Sequence, residues 1–348
     1  MPRFQQPLGA SDKAQGGAAL NQSVKVLDGE TELVSVFDDF DYVVPTEAFG
    51  GTSNFEILGC VLTDVGSPSN DEIGINDPAN VDVWAPSCLR IDTGDTEDTG
   101  GNIQFDRINQ ADPAAGGTFP HLIIPETAAG ADALDNQIFT FACRVGLRAD
   151  DEAGGDVTGN WDSKAFIGFA VAGDTGLMTA GTGALTVAGA AEQLVGFHIP
   201  EDGSIDGISQ RVGNTAYASG TNFTELVAAG GVDGTVANGS TAAGDPVWFD
   251  LAFRMRVTDW SDNNANGTTE FFYRRVRPAS GIPGDRTHPM GGRGPAWVKH
   301  GTVLTNQVPY HTVALVPTIE VVNGPTADRD GVLYLDWWSF GVSRASRR

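Results

Sequence analysis

The sequence predicts an all-β protein, an antiparallel two-sheet β-sandwich or jelly roll carrying an extended N-terminal arm. Three observations point there. Glycine (45) and proline (18) are abundant among the 348 residues, and both are costly inside a helix, so a helical bundle is excluded. From Val34 onward, short segments rich in β-branched and aromatic residues alternate with Gly/Asp/Asn/Pro loops, as antiparallel strands require. No repeat of propeller or solenoid length is present. At 41% hydrophobic and 19% charged, the chain has enough apolar side chain for a core.

Residues 1–33 are rich in Gly, Ala, Gln and Ser without periodicity and read as an arm, leaving 34–348 as one enlarged sandwich. The clearest strand is 248–257, where Phe249, Leu251, Phe253, Met255 and Val257 share one face and Asp250, Arg254 and Arg256 the other. Segment 138–148 repeats the scheme, with Phe139, Phe141, Cys143, Val145 and Leu147 opposed to Thr140, Arg144 and Arg148. Further strands are expected at 34–43, 55–63, 81–84, 102–106, 119–124, 164–172, 193–199, 205–212, 269–277, 296–304, 312–322 and 332–342. Helical turns fit only 186–195 and 222–229. Long acidic, glycine-rich loops are expected at 64–80, 92–101, 109–118, 149–163 and 228–246.

The net charge of −24 disfavours nucleic acid and anionic membrane as partners. It is unevenly spread: residues 1–253 carry 9 basic and 37 acidic side chains, residues 254–348 carry 12 and 8. The basic excess includes Arg254, Arg256, Arg274, Arg275, Arg277, Arg286, Arg293 and Lys299, then Arg344, Arg347 and Arg348. Arg254 and Arg256 share a strand face and the next strand brings Arg274 and Arg275 near. The result is either a docking strip or a solvated face balanced by the chain's own acidic loops. The stretch MPRFQQPLGASDKAQGG holds no apolar run that would serve as a signal peptide, so synthesis and folding in a cytoplasm are expected.

Motifs for chemistry are sparse. Cys60, Cys88 and Cys143 are odd in number and show no CxxC spacing, which points to buried thiols. The histidines (His121, His198, His288, His300, His311) fall at neither HxH nor HExxH spacing. GxSxG and GxxxxGK[ST] are absent. A glycosidase needs two carboxylates across the scissile bond, and the nearest same-face pair is Asp39 and Asp41, which fits a solvated turn better. Asp262-Asn263-Asn264-Ala265-Asn266-Gly267 matches the opening of a calcium loop, with Asp262, Asn264 and Asn266 as the oxygen ligands, but Tyr273 stands where the bidentate Glu belongs. A hairpin loop between two strands is the simpler reading, and Asn-Gly is a hairpin signal. No catalytic, cofactor or metal residue is assigned.

Several segments together resemble the concanavalin A-like lectin/glucanase sandwich: FDDF near residue 37, FTFACRVGL, KAFIGFAVAG, DPVWFDLAFRMRV, TEFFYRRV and the closing LYLDWWSFGV, which is similar to the closing strand of laminarinase-like glucanases. The catalytic E-x-D-x-x-E strand of those glucanases has no counterpart, so the resemblance implies the fold without the reaction. Combined with an acidic chain and a polar arm, it is similar to structural proteins of tailed-bacteriophage virions. That implies a non-enzymatic capsid decoration (cement) protein on the outside of the head. It would bind the major capsid protein and self-associate, with a trimer favoured. The alternatives are a glycan- or receptor-binding lectin-like module of a tail fibre, whose exposed loop aromatics would include Trp84 or Trp161, a jelly-roll capsid subunit, and a hydrolase with an unusual carboxylate pair.

Overall fold

The computed structural model describes residues 31–38, 44–48, 55–57, 60–65, 72–75, 88–93, 98–105, 137–150, 163–178, 193–200, 205–211, 214–217, 247–259, 266–276, 297–309, 314–324 and 330–344. These residues contain seventeen strands and no helix. In chain order they are β1 (Thr31–Asp38), β2 (Val44–Ala48), β3 (Phe55–Ile57), β4 (Cys60–Val65), β5 (Glu72–Ile75), β6 (Leu89–Asp92), β7 (Gly100–Phe105), β8 (Gln137–Asp150) and β9 (Lys164–Val171). The remainder are β10 (Leu194–Ile199), β11 (Asp206–Arg211), β12 (Asn214–Tyr217), β13 (Val247–Asp259), β14 (Asn266–Val276), β15 (Val298–Thr305), β16 (Leu315–Val322) and β17 (Asp330–Arg344).

The strands form two antiparallel sheets. One has nine strands in the order β15-β14-β13-β8-β17-β6-β5-β2, with β1 also on β17; the other has eight, ordered β12-β11-β10-β9-β16-β7-β4-β3. Strand β17 pairs with β8 along its whole length, while β6 covers residues 332–335 of its other edge and β1 covers 338–344. A bulge at Asp336 marks the changeover, so Asp336 and Trp337 together oppose Arg144 where one residue would normally stand.

The alternation read from the sequence is realised in the core. Phe249, Leu251, Phe253, Met255 and Val257 of β13 and Phe139, Phe141, Cys143, Val145 and Leu147 of β8 are all fully buried between the sheets. Aromatic rings from the two sheets interlock there. Phe141 stacks on Phe253 within the nine-stranded sheet (centroids 5.4 Å apart, 15° between planes), and Phe169 of the facing sheet meets both rings edge-on at 5.7 and 5.4 Å. Phe197 approaches Phe271 at 5.4 Å, and Phe105 approaches Phe340 at 5.0 Å. Such offset and edge-to-face contacts suit the ring quadrupole and fill the space between the sheets.

Several boundaries differ from the sequence reading. Strand β1 begins at Thr31, inside the stretch 1–33 expected as an arm; the rest of that stretch, the strands expected at 81–84 and 119–124 and the helical turn expected at 222–229 lie outside the described residues. The segment 55–63 divides into the hairpin β3–β4, with Ile57 opposite Cys60. Leu194 and Val195, where the expected strand 193–199 overlaps the stretch 186–195 open to helical turns, belong to strand β10, because their alternation places Val195 in the core. The expected loop at 64–80 contains β5, and β2, β6 and β12 were equally unforeseen. These four have four or five residues each, and β2 and β12 end their sheets, where short polar strands are tolerated because only one neighbour has to be satisfied.

Candidate functional site

Side chains turned away from the core of the nine-stranded sheet line up in cross-strand rows. One row places Trp337, Arg144 and Asp250 in register across β17, β8 and β13. The next contains Ser339, Ala142, Ala252, Phe272 and Lys299, and a third contains Gly341, Thr140, Arg254 and Glu270.

Charge is buried in the first row. Arg144 Nε donates to Asp250 Oδ1 at 2.7 Å and Nη2 to Oδ2 at 3.3 Å. Its Nη1 lies 3.5 Å from Asp336 Oδ2, and the Cys88 thiol donates to Asp336 Oδ1 at 3.4 Å. The bulge at Asp336 turns that carboxylate outward beside Trp337, within reach of the guanidinium. Arg144, Asp250 and Asp336 are all buried, although the alternation left Arg144 and Asp250 on the faces of their strands opposite the apolar one. The two-pronged contact with Asp250 suits the planar guanidinium fork.

Beside this group the face opens. Trp337 is fully buried against Ala142 and Ala252, and the half-buried rings of Phe272 and Trp297 pack on the same cluster. The two alanines leave room for flat rings on the sheet. On the other side of the row, Trp248 lies over Gly146, so close that an added Cβ would sit 3.0 Å from ring carbons, and its ring is 6.2 Å from that of Tyr334. Along the aromatic edge, Lys299 Nζ contacts Glu270 Oε1 at 2.6 Å and Arg254 Nε lies 3.6 Å from Glu270 Oε2. Arg256 Nε has no hydrogen-bond partner. The result is a half-open face of aromatic planes bordered by guanidinium, ammonium and carboxylate groups.

The basic strip expected from the sequence is therefore interleaved with acids. Glu270 stands between Arg254 and Lys299, Arg274 is in register with Asp250, and Arg275 with Phe249. Cys88 and Cys143 are buried thiols as expected, and burial together with nearby Asp250 pushes the Cys143 thiol upward. His198 is buried in β10. The hairpin between β13 and β14 is present, but Asn266 pairs with Asp259 and Gly267 with Val257, so Asn266 and Gly267 open the return strand and do not form the turn. Asp262 and Asn264 lie outside the described residues, as do Asp39, Asp41, Trp84, Trp161, Arg277, Arg286, Arg293, Arg347 and Arg348. Among the described residues no group of three or more His, Cys, Asp and Glu is placed to hold a metal ion, and no helix is long and apolar enough to cross a membrane.

The outer face of the eight-stranded sheet is built differently. A row across β4, β7, β16, β9, β10 and β11 contains Thr63, Asn102, Glu320, Phe166, His198 and Asp206. Glu320 is fully buried, because residues 172–178 cross this face above it. Leu177 N donates to its Oε1 at 2.7 Å, and Gly176 N and Asn102 Nδ2 donate to its Oε2 at 2.9 and 2.7 Å. Burial raises the Glu320 carboxyl to about 7 despite these donors, with Asp174 adding to the rise. The sequence reading passed over Glu320, whose signal was a lone carboxylate in the apolar run LVPTIEVV.

No family model and no curated protein sequence matches the chain. Among solved structures it is similar to lectin II from Ulex europaeus, at 9% identity over 90% of this chain and 99% of that one, with a TM-score of 0.41. It is similar also to arcelin-5, a lectin-like defense protein from Phaseolus vulgaris, at 12% identity over 90% and 99% of the two chains, with a TM-score of 0.38. The PL-14 alginate lyase from Aplysia kurodai matches at 9% identity over 73% and 82%, with a TM-score of 0.35.

Proposed function

We propose that the protein is a lectin-like, glycan-binding module that uses the outer face of its nine-stranded sheet and performs no reaction on what it binds. The observation that carries this reading is the half-open aromatic face of Phe272 and Trp297, bordered by Arg254, Glu270 and Lys299. A sugar ring presents an apolar C–H face and a rim of hydroxyls. Flat apolar rings beside charged donors and acceptors meet both needs, as binding sites generally combine apolar lining with a few placed polar groups. Asp250 and Asp336, the two buried carboxylates next to this face, are both engaged by Arg144 and closed off from solvent, which favours a scaffold role over acid–base work.

Screening the full chain on a glycan array tests the reading. A specific glycan should bind, and Trp297→Ala or Phe272→Ala should weaken it at least about tenfold with the melting temperature little changed. Absence of binding to any glycan, or binding indifferent to both substitutions, overturns it. Release of reducing ends from the bound glycan would overturn the non-enzymatic part alone. The setting implied by the sequence resemblance is a virion, and co-sedimentation with expanded phage heads tests that separately. Pelleting with shells supports attachment to the major capsid protein, whereas glycan binding without pelleting supports a place on a tail fibre.

A further inference from the structure

Strand β13 carries the outer face of the nine-stranded sheet past the aromatic rings. Along its outward side Ala252, Arg254 and Arg256 follow one another, and β14 sets Phe272, Glu270 and Thr268 opposite them in register. Successive outward positions on a strand are about 7 Å apart, so Arg256 lies about 14 Å along the sheet from the row of Phe272. Between the two, Glu270 is taken up by its own neighbours, with Arg254 Nε at 3.6 Å and Lys299 Nζ at 2.6 Å.

Arg256 is in a different position. It is half-buried, its Nε is closed off from solvent without a hydrogen-bond acceptor, and among the described residues no carboxylate pairs with it. Its strand neighbours bring no charge. Fully buried Ile138 of β8 stands on one side, and Thr268 of β14 on the other with exposed Thr305 of β15 beyond it. Arg144, on the same face, shows the contrast, because Asp250 and Asp336 answer its guanidinium from within the chain. A guanidinium does not give up its proton, and a shielded N–H without an acceptor is costly and rare. The missing acceptor has to come from outside.

We propose that the glycan taken by this face is acidic: an oligosaccharide that rests one ring on Phe272 and Trp297 and runs along β13 to place a carboxylate or sulfate on Arg256. This rests on the glycan-binding reading above and narrows it to a substrate class. A small turn of the Arg256 stem would present the Nε–Nη edge, the same edge that Arg144 offers to Asp250. That edge meets a carboxylate or sulfate with two parallel hydrogen bonds. Thr268 and Thr305 add hydroxyls beside it for those of the sugar, and the apolar wall of Ile138 lowers the local dielectric and strengthens the contact. The chain carries −24 overall, but salt screens that repulsion beyond a Debye length of about 8 Å, so contact at Arg256 decides.

Binding of the full chain to arrayed glycans in charge-matched pairs tests this. The pairs are oligogalacturonate against its methyl ester, sialylated against desialylated oligosaccharides, and sulfated against desulfated galactan oligosaccharides, with polyglutamate as a polyanion that is not a sugar. A charged member should bind about tenfold or more tightly than its neutral partner, and the pair that does so tells carboxylate from sulfate. In Arg256→Gln that preference should disappear, whereas Arg256→Lys should keep part of it, both with an unchanged melting temperature. Glycan binding without a charge preference, or a preference that survives Arg256→Gln, overturns the acidic class and leaves the glycan-binding reading standing. Absence of binding to every glycan removes both. Polyglutamate bound as tightly as the acidic glycan, with the same dependence on Arg256, overturns the proposal in favour of an acidic protein partner.

Discussion

Arg144 and Asp250 stand opposite each other in the register of β8 and β13, joined by contacts of 2.7 and 3.3 Å and sealed from solvent on the outer side of the sheet. A buried ion pair gains little over an apolar pair, but removing one partner strands the other. Arg144→Leu would leave the Asp250 and Asp336 carboxylates without this guanidinium. The expected loss is about 3–5 kcal/mol of unfolding free energy, read from urea denaturation, and Asp250→Asn should cost less because Asp336 still faces Arg144.

Phe253 is the centre of the aromatic core, stacked on Phe141 and met by Phe169, Phe197 and Phe271 at centroid distances of 5.4 to 6.3 Å. Phe253→Ala would empty a site enclosed by both sheets. A loss of about 3–5 kcal/mol is expected, again by chemical denaturation, whereas Phe253→Leu should cost less because it leaves a smaller cavity.

The contrast between these two positions shows what was legible beforehand. Alternation alone put Phe253 and its strand-mates in the core, since a period of two is written along one segment. Alternation also put Arg144 and Asp250 on the outer face, but their burial depends on cross-strand register and on the bulge at Asp336, which no single segment encodes. Trp248 and Trp297 escaped notice for a similar reason. Their position beside Tyr334 and Phe272 arises from strands distant in sequence. Glu320 was hidden because its partners come from β7 and from the segment after β9.

Gly168 of β9 and Gly196 of β10 are opposite neighbours, packed so that a Cβ on Gly168 would overlap the Val195 carbonyl and lie 2.6 Å from Gly196 Cα. The obstacle is backbone in the middle of a sheet, with no flexible side chain to move aside. Gly168→Ala should therefore destabilise the fold by about 1–3 kcal/mol, against the usual gain from replacing a strand glycine, with the loss visible as a lower melting temperature.

Glu320 also links overall stability to pH, and the sign follows from the direction of its shift. Its folded value of about 7 lies above the unfolded value of 4.5, so between those limits the folded chain holds a proton that the unfolded chain has released. The stabilisation from keeping Glu320 neutral is fully present below about pH 4.5 and is lost as pH rises through 7. A difference of that size corresponds to a few kcal/mol, of order 3. Denaturation midpoints of the native protein and of Glu320→Gln, compared across pH 5 to 8, isolate this contribution from the other titrating groups. The variant should gain on the native protein steadily up to about pH 7 and hold a constant advantage above it.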